Sequence, residues 1–220
     1  MGFLGYDTRI DWPTGELAVL LSMLKPGRAL ELGAGHGTEA IFLASHGWKV
    51  VAVEKDRAAV EEARRRVQRL SKVVRRRLTF LEKDATTFRE EAPGSFDMVV
   101  ERLVYQNLFR DVAAGQSALA RTYTKRRRGL IQGAAYALKS GCIFIMRTRP
   151  FRMGKWGRVA LSDSRLTVQD FRLAEKYFYV GNEVGFRSVV TPWEPHASTL
   201  VSSYLDVSVL VLHRNEKPYP

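Results

Sequence analysis

The most constraining feature of this chain is the loop Gly33-Ala34-Gly35-His36-Gly37. It lies between the apolar run Ala29-Leu30-Glu31-Leu32 and a helix-like stretch beginning at Thr38. Glycines without a Cβ let the backbone turn sharply and let a ligand approach closely. A helix start behind such a loop presents N–H groups that have no partner within the helix. Glu54 follows 21 residues after Gly33, at the end of the apolar segment 48–54. A carboxylate at that place can accept hydrogen bonds from both hydroxyls of a ribose. Loop, strand context and spaced acid together predict a nucleotide-like ligand far more specifically than a glycine triplet alone.

The rest of the chain alternates strand-like and helix-like stretches, which predicts a largely parallel sheet with helices on both faces. Strands are expected at 29–33, 48–54, 78–84, 96–101, 142–148, 186–191 and 204–213. Helices are expected at 13–25, 38–45, 58–70, 117–139 (with a break at Gly129 or Gly133) and 168–180. In the 58–70 helix Val60, Ala63, Val67 and Leu70 follow the helical period. Glu61–Arg65 and Glu62–Arg66 are favourable pairs four residues apart. The last two strands are joined by about a dozen residues containing Pro192 and Pro195, too few for a crossover helix. A hairpin is expected there, so the last of seven strands should run antiparallel.

Composition bounds the function. With 220 residues, 45% hydrophobic and 26% charged, the chain suits one soluble domain. No run approaches the ~20 apolar residues of a membrane span. A lone Cys142 forbids an internal disulfide, so a reducing, cytoplasmic setting is the default. The four His residues show no metal-ligand spacing. The formal net charge of +12 attracts anions, from small molecules to nucleic acids. The runs Arg75-Arg76-Arg77 and Lys125-Arg126-Arg127-Arg128 read as solvated faces.

The glycine spacing is GxGxG, with Thr38 where a dinucleotide fingerprint would carry its third glycine, and no Gly-Lys-Ser/Thr triplet occurs. Instead LELGAGHGTEA resembles the first motif of the class I (Rossmann-like) S-adenosylmethionine (SAM)-dependent methyltransferases. VVAVEKD, LTFLEKDA, FDMVVE and YALKSGCIFIM resemble the segments that follow it in that family. The resemblance implies a three-layer α/β/α Rossmann-like sandwich with a seven-stranded sheet, and SAM as cofactor. It implies that Glu31, Gly33, Ala34, Gly35 and Gly37 line the loop and the methionine moiety. Glu54, with Lys55, would hold the ribose, and Asp84 with Ala85 the adenine. Glu101, at the end of the fourth strand, would stand beside the reacting centre. No Asn/Asp-Pro-Pro-Tyr/Phe motif follows that strand.

For the acceptor, Glu101 is the candidate general base or orienting group, and Tyr105 a candidate orienting group. Equally open are a Glu101 that binds SAM or pairs with Arg102, and a Tyr105 that only packs. Loops 1–14, 102–116 and 149–167 would build the acceptor pocket. The basic-aromatic stretch 147–158 suits an anionic, partly flat acceptor or RNA. The expected reaction is methyl transfer to a small molecule. The alternatives are an RNA methyltransferase and a SAM-binding regulator without catalysis.

Overall fold

The structure is a computed structural model that describes residues 17, 21, 24–89, 93–102, 104, 108, 117–148, 178–180 and 208–214. Five strands form its parallel sheet: β1 (Arg28–Leu32), β2 (Lys49–Glu54), β3 (Leu78–Glu82), β4 (Phe96–Arg102) and β5 (Leu138–Thr148). They lie in the order β3-β2-β1-β4-β5. Chain order reverses at β1, whose carboxyl end pairs Leu32 with Val53 on one side and Glu101 on the other. Ligands of open α/β sheets bind at such a switch point. Beyond β5, Ser208–Arg214 pairs antiparallel with it, and Phe178–Val180 pairs antiparallel with that segment.

Alternation along the strands sends side chains to two cores. Ala29, Val50, Ala52, Met98, Val100 and Ile143 pack beneath α1 (Thr38–Ser45) and α2 (Arg57–Gln68). Leu17 and Leu21, buried and helical, join that core. Leu30, Leu32, Val53, Val99 and Phe144 face the other way, against Leu130, Ile131 and Ala134 of a long helix, Ser117–Ala137. A short helix, α3 (Lys72–Arg75), leads into β3, and we number the long helix α4. The sandwich is therefore α/β/α.

Several local expectations are corrected. Helix α4 runs unbroken through Gly129 and Gly133. Strand β5 begins at Leu138 rather than at Cys142 and absorbs an irregularity between Phe96 and Met98 of its neighbour, near Gly141 at φ 73°. Residues 178–180, expected to end a helix, are extended, as their aromatic and β-branched Phe-Tyr-Val favours. The strand expected at 186–191 lies outside the described residues. On α2, Arg57 pairs with Glu61 and Arg65 with Glu62, while Arg66 reaches the glycine loop. Among the described residues no helix is long and apolar enough to cross a membrane, and no group of three His, Cys, Asp or Glu could hold a metal ion.

Asp97 ties the amino-terminal ends of three segments together. It accepts from the backbone N–H of Arg28 at 2.8 Å, and Lys139 Nζ lies 2.6 Å from its other oxygen. Partial burial raises its pKa, but these bonds outweigh that and leave it below the usual aspartate value. A carboxyl held low stabilises the fold above its unfolded pKa, and that contribution is lost as pH falls through the folded one. Lys139→Met should therefore shallow the loss of stability in acid, by under about 1 kcal/mol since both groups are well solvated. Urea titrations at pH 3 to 6 measure it; parallel profiles for variant and parent would refute the link.

Candidate active site

The carboxyl ends of β1, β2 and β4 converge on the glycine loop. Its shape is fixed from three sides. The N–H groups of Gly33 and Ala34 both donate to the Val53 carbonyl, at 2.7 and 3.0 Å. The Gly35 N–H donates to Glu54 Oε2 at 2.9 Å. Arg66, from α2, donates to the His36 carbonyl at 3.0 Å and to Thr38 Oγ1 at 3.3 Å. Gly33, Gly35 and Gly37 all have positive φ, at 76°, 52° and 78°. At Gly35 a Cβ would meet none of the described residues within 4 Å, whereas at Gly37 it would press on the Phe80 ring at 2.7 Å. The loop is thus packed underneath at Gly37 and open above Gly35.

Glu54 is oriented by backbone on both oxygens, since Oε1 accepts from the Asp56 N–H at 2.9 Å. Each carboxylate oxygen has a second lone pair, so the group can still receive two hydroxyls. Asp56 itself caps α2, accepting from Ala58 and Ala59. Lys55 is exposed, and its charge helps to hold Asp84 ionised. Asp84 follows β3 in a tight turn. Its Oδ1 accepts from the Thr86 N–H at 2.9 Å and the Thr86 hydroxyl at 2.8 Å, and Arg126 Nη2 lies 2.9 Å from Oδ2. Burial pushes its pKa up, but these partners win and lower it. Ala85 is buried against the α4 side of the sheet.

Three carboxylates are buried at the end of the sheet: Glu31, Glu39 and Glu101, all at 2% exposure or less. Arg102 Nη1 bonds both oxygens of Glu39, at 2.9 and 3.1 Å. Glu101 Oε2 accepts from the Val104 N–H at 2.9 Å. Arg102, a suggested partner of Glu101, thus has Glu39 as its carboxylate partner. Glu31 Oε2 is buried with no hydrogen-bond partner among the described residues. Burial above all, then the nearby Glu39 charge, drives the Glu31 pKa well up, against an Ala40 N–H bond and the Arg102 charge. Tyr105 and the three acceptor loops lie almost wholly outside the described residues.

Sequence reasoning missed Arg66, Glu39, Arg126 and Arg127. The Lys125–Arg128 run is not one solvated face. Arg127 is fully buried and donates to the Leu108 carbonyl at 3.3 Å, and Arg126 is bound to the Asp84 turn. The available signal was the glycine pair at 129 and 133, one helical turn apart, which marks a face of close approach. A Cβ on Gly129 would overlap the Thr86 carbonyl, and one on Gly133 would sit 3.0 Å from the Phe88 carbonyl. Cys142 is half-buried, with its thiol pKa raised by burial.

A sheet with its order reversed at β1, a glycine loop at that reversal and an acid at the end of β2 define a Rossmann-like fold for a nucleotide-type ligand. Superpositions on solved structures agree in fold. The glycopeptide N-methyltransferase MtfA matches with TM-score 0.60 at 18% identity, over 90% of this chain and 87% of that one. N-methyltransferase NodS from Bradyrhizobium japonicum matches with 0.57 at 17%, over 91% and 92%. A TehB-like SAM-dependent methyltransferase from Corynebacterium glutamicum matches with 0.57 at 14%, over 91% and 88%. No curated protein sequence matches the chain. The methyltransferase-domain family pattern matches residues 30–143, more than half of the sequence, and the chain belongs to that family. It is a SAM-dependent methyltransferase of class I.

Proposed function

We propose that this chain transfers the methyl group of SAM to a small, anionic or aromatic molecule. The observation that carries the cofactor site is the Glu54 carboxylate, fixed by the Gly35 and Asp56 amides with acceptor capacity left on both oxygens. Two further features fit the same ligand. A Cβ at Gly35 would meet none of the described residues within 4 Å, and Glu31 Oε2 is a buried oxygen without a hydrogen-bond partner among the described residues. Gly33, Ala34, Gly35 and Gly37 would form the floor, Glu54 with Lys55 would hold the ribose, and Asp84 with Ala85 the adenine.

Bound SAM supplies an activated methyl group on a sulfonium centre. The protein's work is then to align an acceptor, exclude water and, where needed, take a proton. Glu101 is our candidate for orienting the acceptor or accepting its proton, and Tyr105 is our second candidate for orienting it. The burial of Glu101 and its bond from the Val104 amide support a fixed carboxylate there. We read residues 1–220 as a single domain. On this reading 1–27 would be a cap and helix, 28–148 the SAM half, and 149–220 an acceptor loop with a closing strand hairpin. The antiparallel pairings of 178–180 and 208–214 support a seven-stranded sheet with an antiparallel last strand. The lone cysteine suits a cytoplasmic protein.

One observation favours RNA as the second reading. Residues 57–77 hold nine Lys or Arg against two Glu, a basic density fit for phosphates. A regulator without catalysis is the third. Calorimetry with SAM, S-adenosylhomocysteine, NAD and ATP tests the cofactor, with binding expected only for the first two. Transfer of tritium from labelled SAM into cellular RNA and into a small-metabolite extract tests the acceptor. Label in RNA alone overturns our reading, and label in neither favours the regulator. Glu54→Ala should weaken SAM binding by about 1–3 kcal/mol through lost charge-assisted bonds. An unchanged affinity in that titration moves the ribose site elsewhere.

A further inference from the structure

The turn at Asp84 carries a cation that the glycine loop does not explain. Helix α4 is seated directly on this turn, because Gly129 and Gly133 admit the Thr86 and Phe88 carbonyls against its surface. One turn before Gly129, Arg126 extends to the turn and binds it twice. Nη2 lies 2.9 Å from Asp84 Oδ2, and Nε donates to Thr86 Oγ1 at 3.4 Å. Thr86 in turn donates twice to Asp84 Oδ1. A carboxylate offers about four acceptor sites. Among the described residues three are taken, and the fourth lies on Oδ2. Asp84 and Arg126 are each about one-third exposed, so a ligand can reach that site.

We infer that Arg126 is a positioning residue that locks the Asp84 turn as an acceptor-only edge and makes the site selective for a base bearing an exocyclic amino group. This rests on the reading of Asp84 as the adenine-side acid. The bond to Arg126 prevents the carboxyl from turning its other oxygen outward, and the cation disfavours its protonated, donating form. The Nε–Nη2 edge of the guanidinium is itself committed to the turn. A base carbonyl placed against Oδ2 would meet an acceptor with no proton between them, whereas an amino group completes the fourth site. An acceptor left unpaired once the ligand covers it is what makes such discrimination large.

The probe pair is S-adenosylhomocysteine and its deaminated analogue S-inosylhomocysteine, which has a carbonyl where adenine has its amino group. Calorimetry on the full chain should show the adenosyl compound preferred by at least about 100-fold. In Arg126→Met the preference should fall by about tenfold or more. The fall should come mainly from tighter inosyl binding, growing as pH drops and the released Asp84 takes up a proton. Arg126→Lys should restore most of the preference. Arg126→Gln serves as the second neutral variant should the Met protein not fold. A preference unchanged in a folded neutral variant overturns the proposal. So does an equal loss of affinity for both compounds, the mark of a merely structural arginine. A parent protein that binds neither compound instead defeats the reading of the cofactor site.

Discussion

Gly35→Val is expected to abolish SAM binding, with Kd raised more than about 100-fold, in a protein that still folds. The glycine has φ 52° and open space where its Cβ would be. A Cβ there meets none of the described residues within 4 Å, so the main cost to folding is the strain of a β-branched residue at positive φ, about 1–3 kcal/mol. Its methyl groups would instead stand in the space reserved for the ligand, next to the amide that orients Glu54. Thermal unfolding should fall by several degrees and remain cooperative, while titration with SAM gives no heat. A variant that binds SAM normally would mean the ligand lies elsewhere.

Gly129→Ala should destabilise the protein by about 1–3 kcal/mol, the range for overpacking a filled site. Helix propensity alone argues the opposite sign, since alanine is favoured over glycine by about 1 kcal/mol inside a helix. The contact decides. The added methyl would overlap the Thr86 backbone carbonyl, which cannot rotate away as a side-chain end could, so the helix or the turn must move. Movement of either would also loosen the Arg126–Asp84 bond. Denaturant titration gives the sign directly, and a stabilised Gly129→Ala protein would show that this helix face is not tightly seated.

The sequence carried the features that repeat locally. Gly33 to Gly37, Glu54 and the apolar periods of the strands each follow from a spacing of few residues, so β1 to β4, α1 and α2 lie within a residue or two of expectation. What escaped depends on partners distant in sequence. Arg126 and Arg127 adjoin Lys125 and Arg128 in one basic run, yet α4 turns about 100° per residue. One of them therefore enters the core, one reaches a carboxylate 42 positions away, and the outer two stay exposed. Glu39 looks like an ordinary helix-start acid, and its burial follows only from Arg102 reaching across from β4. Phe178–Val180 joined an expected helix because a short edge segment has too few residues to show a period.

The bonds from Gly33 and Ala34 to the Val53 carbonyl prolong the β1–β2 ladder past the last paired residues into the loop. Glu54, the next residue of β2, then accepts from the Gly35 N–H. Loop and acid are therefore joined to the sheet by the chain's own hydrogen bonds. The entropy lost in shaping these residues belongs to the folding reaction. Because these bonds are the chain's own, a ligand over Gly35 is not needed to make them, and to that extent its contacts are not offset by the cost of ordering the loop beneath it.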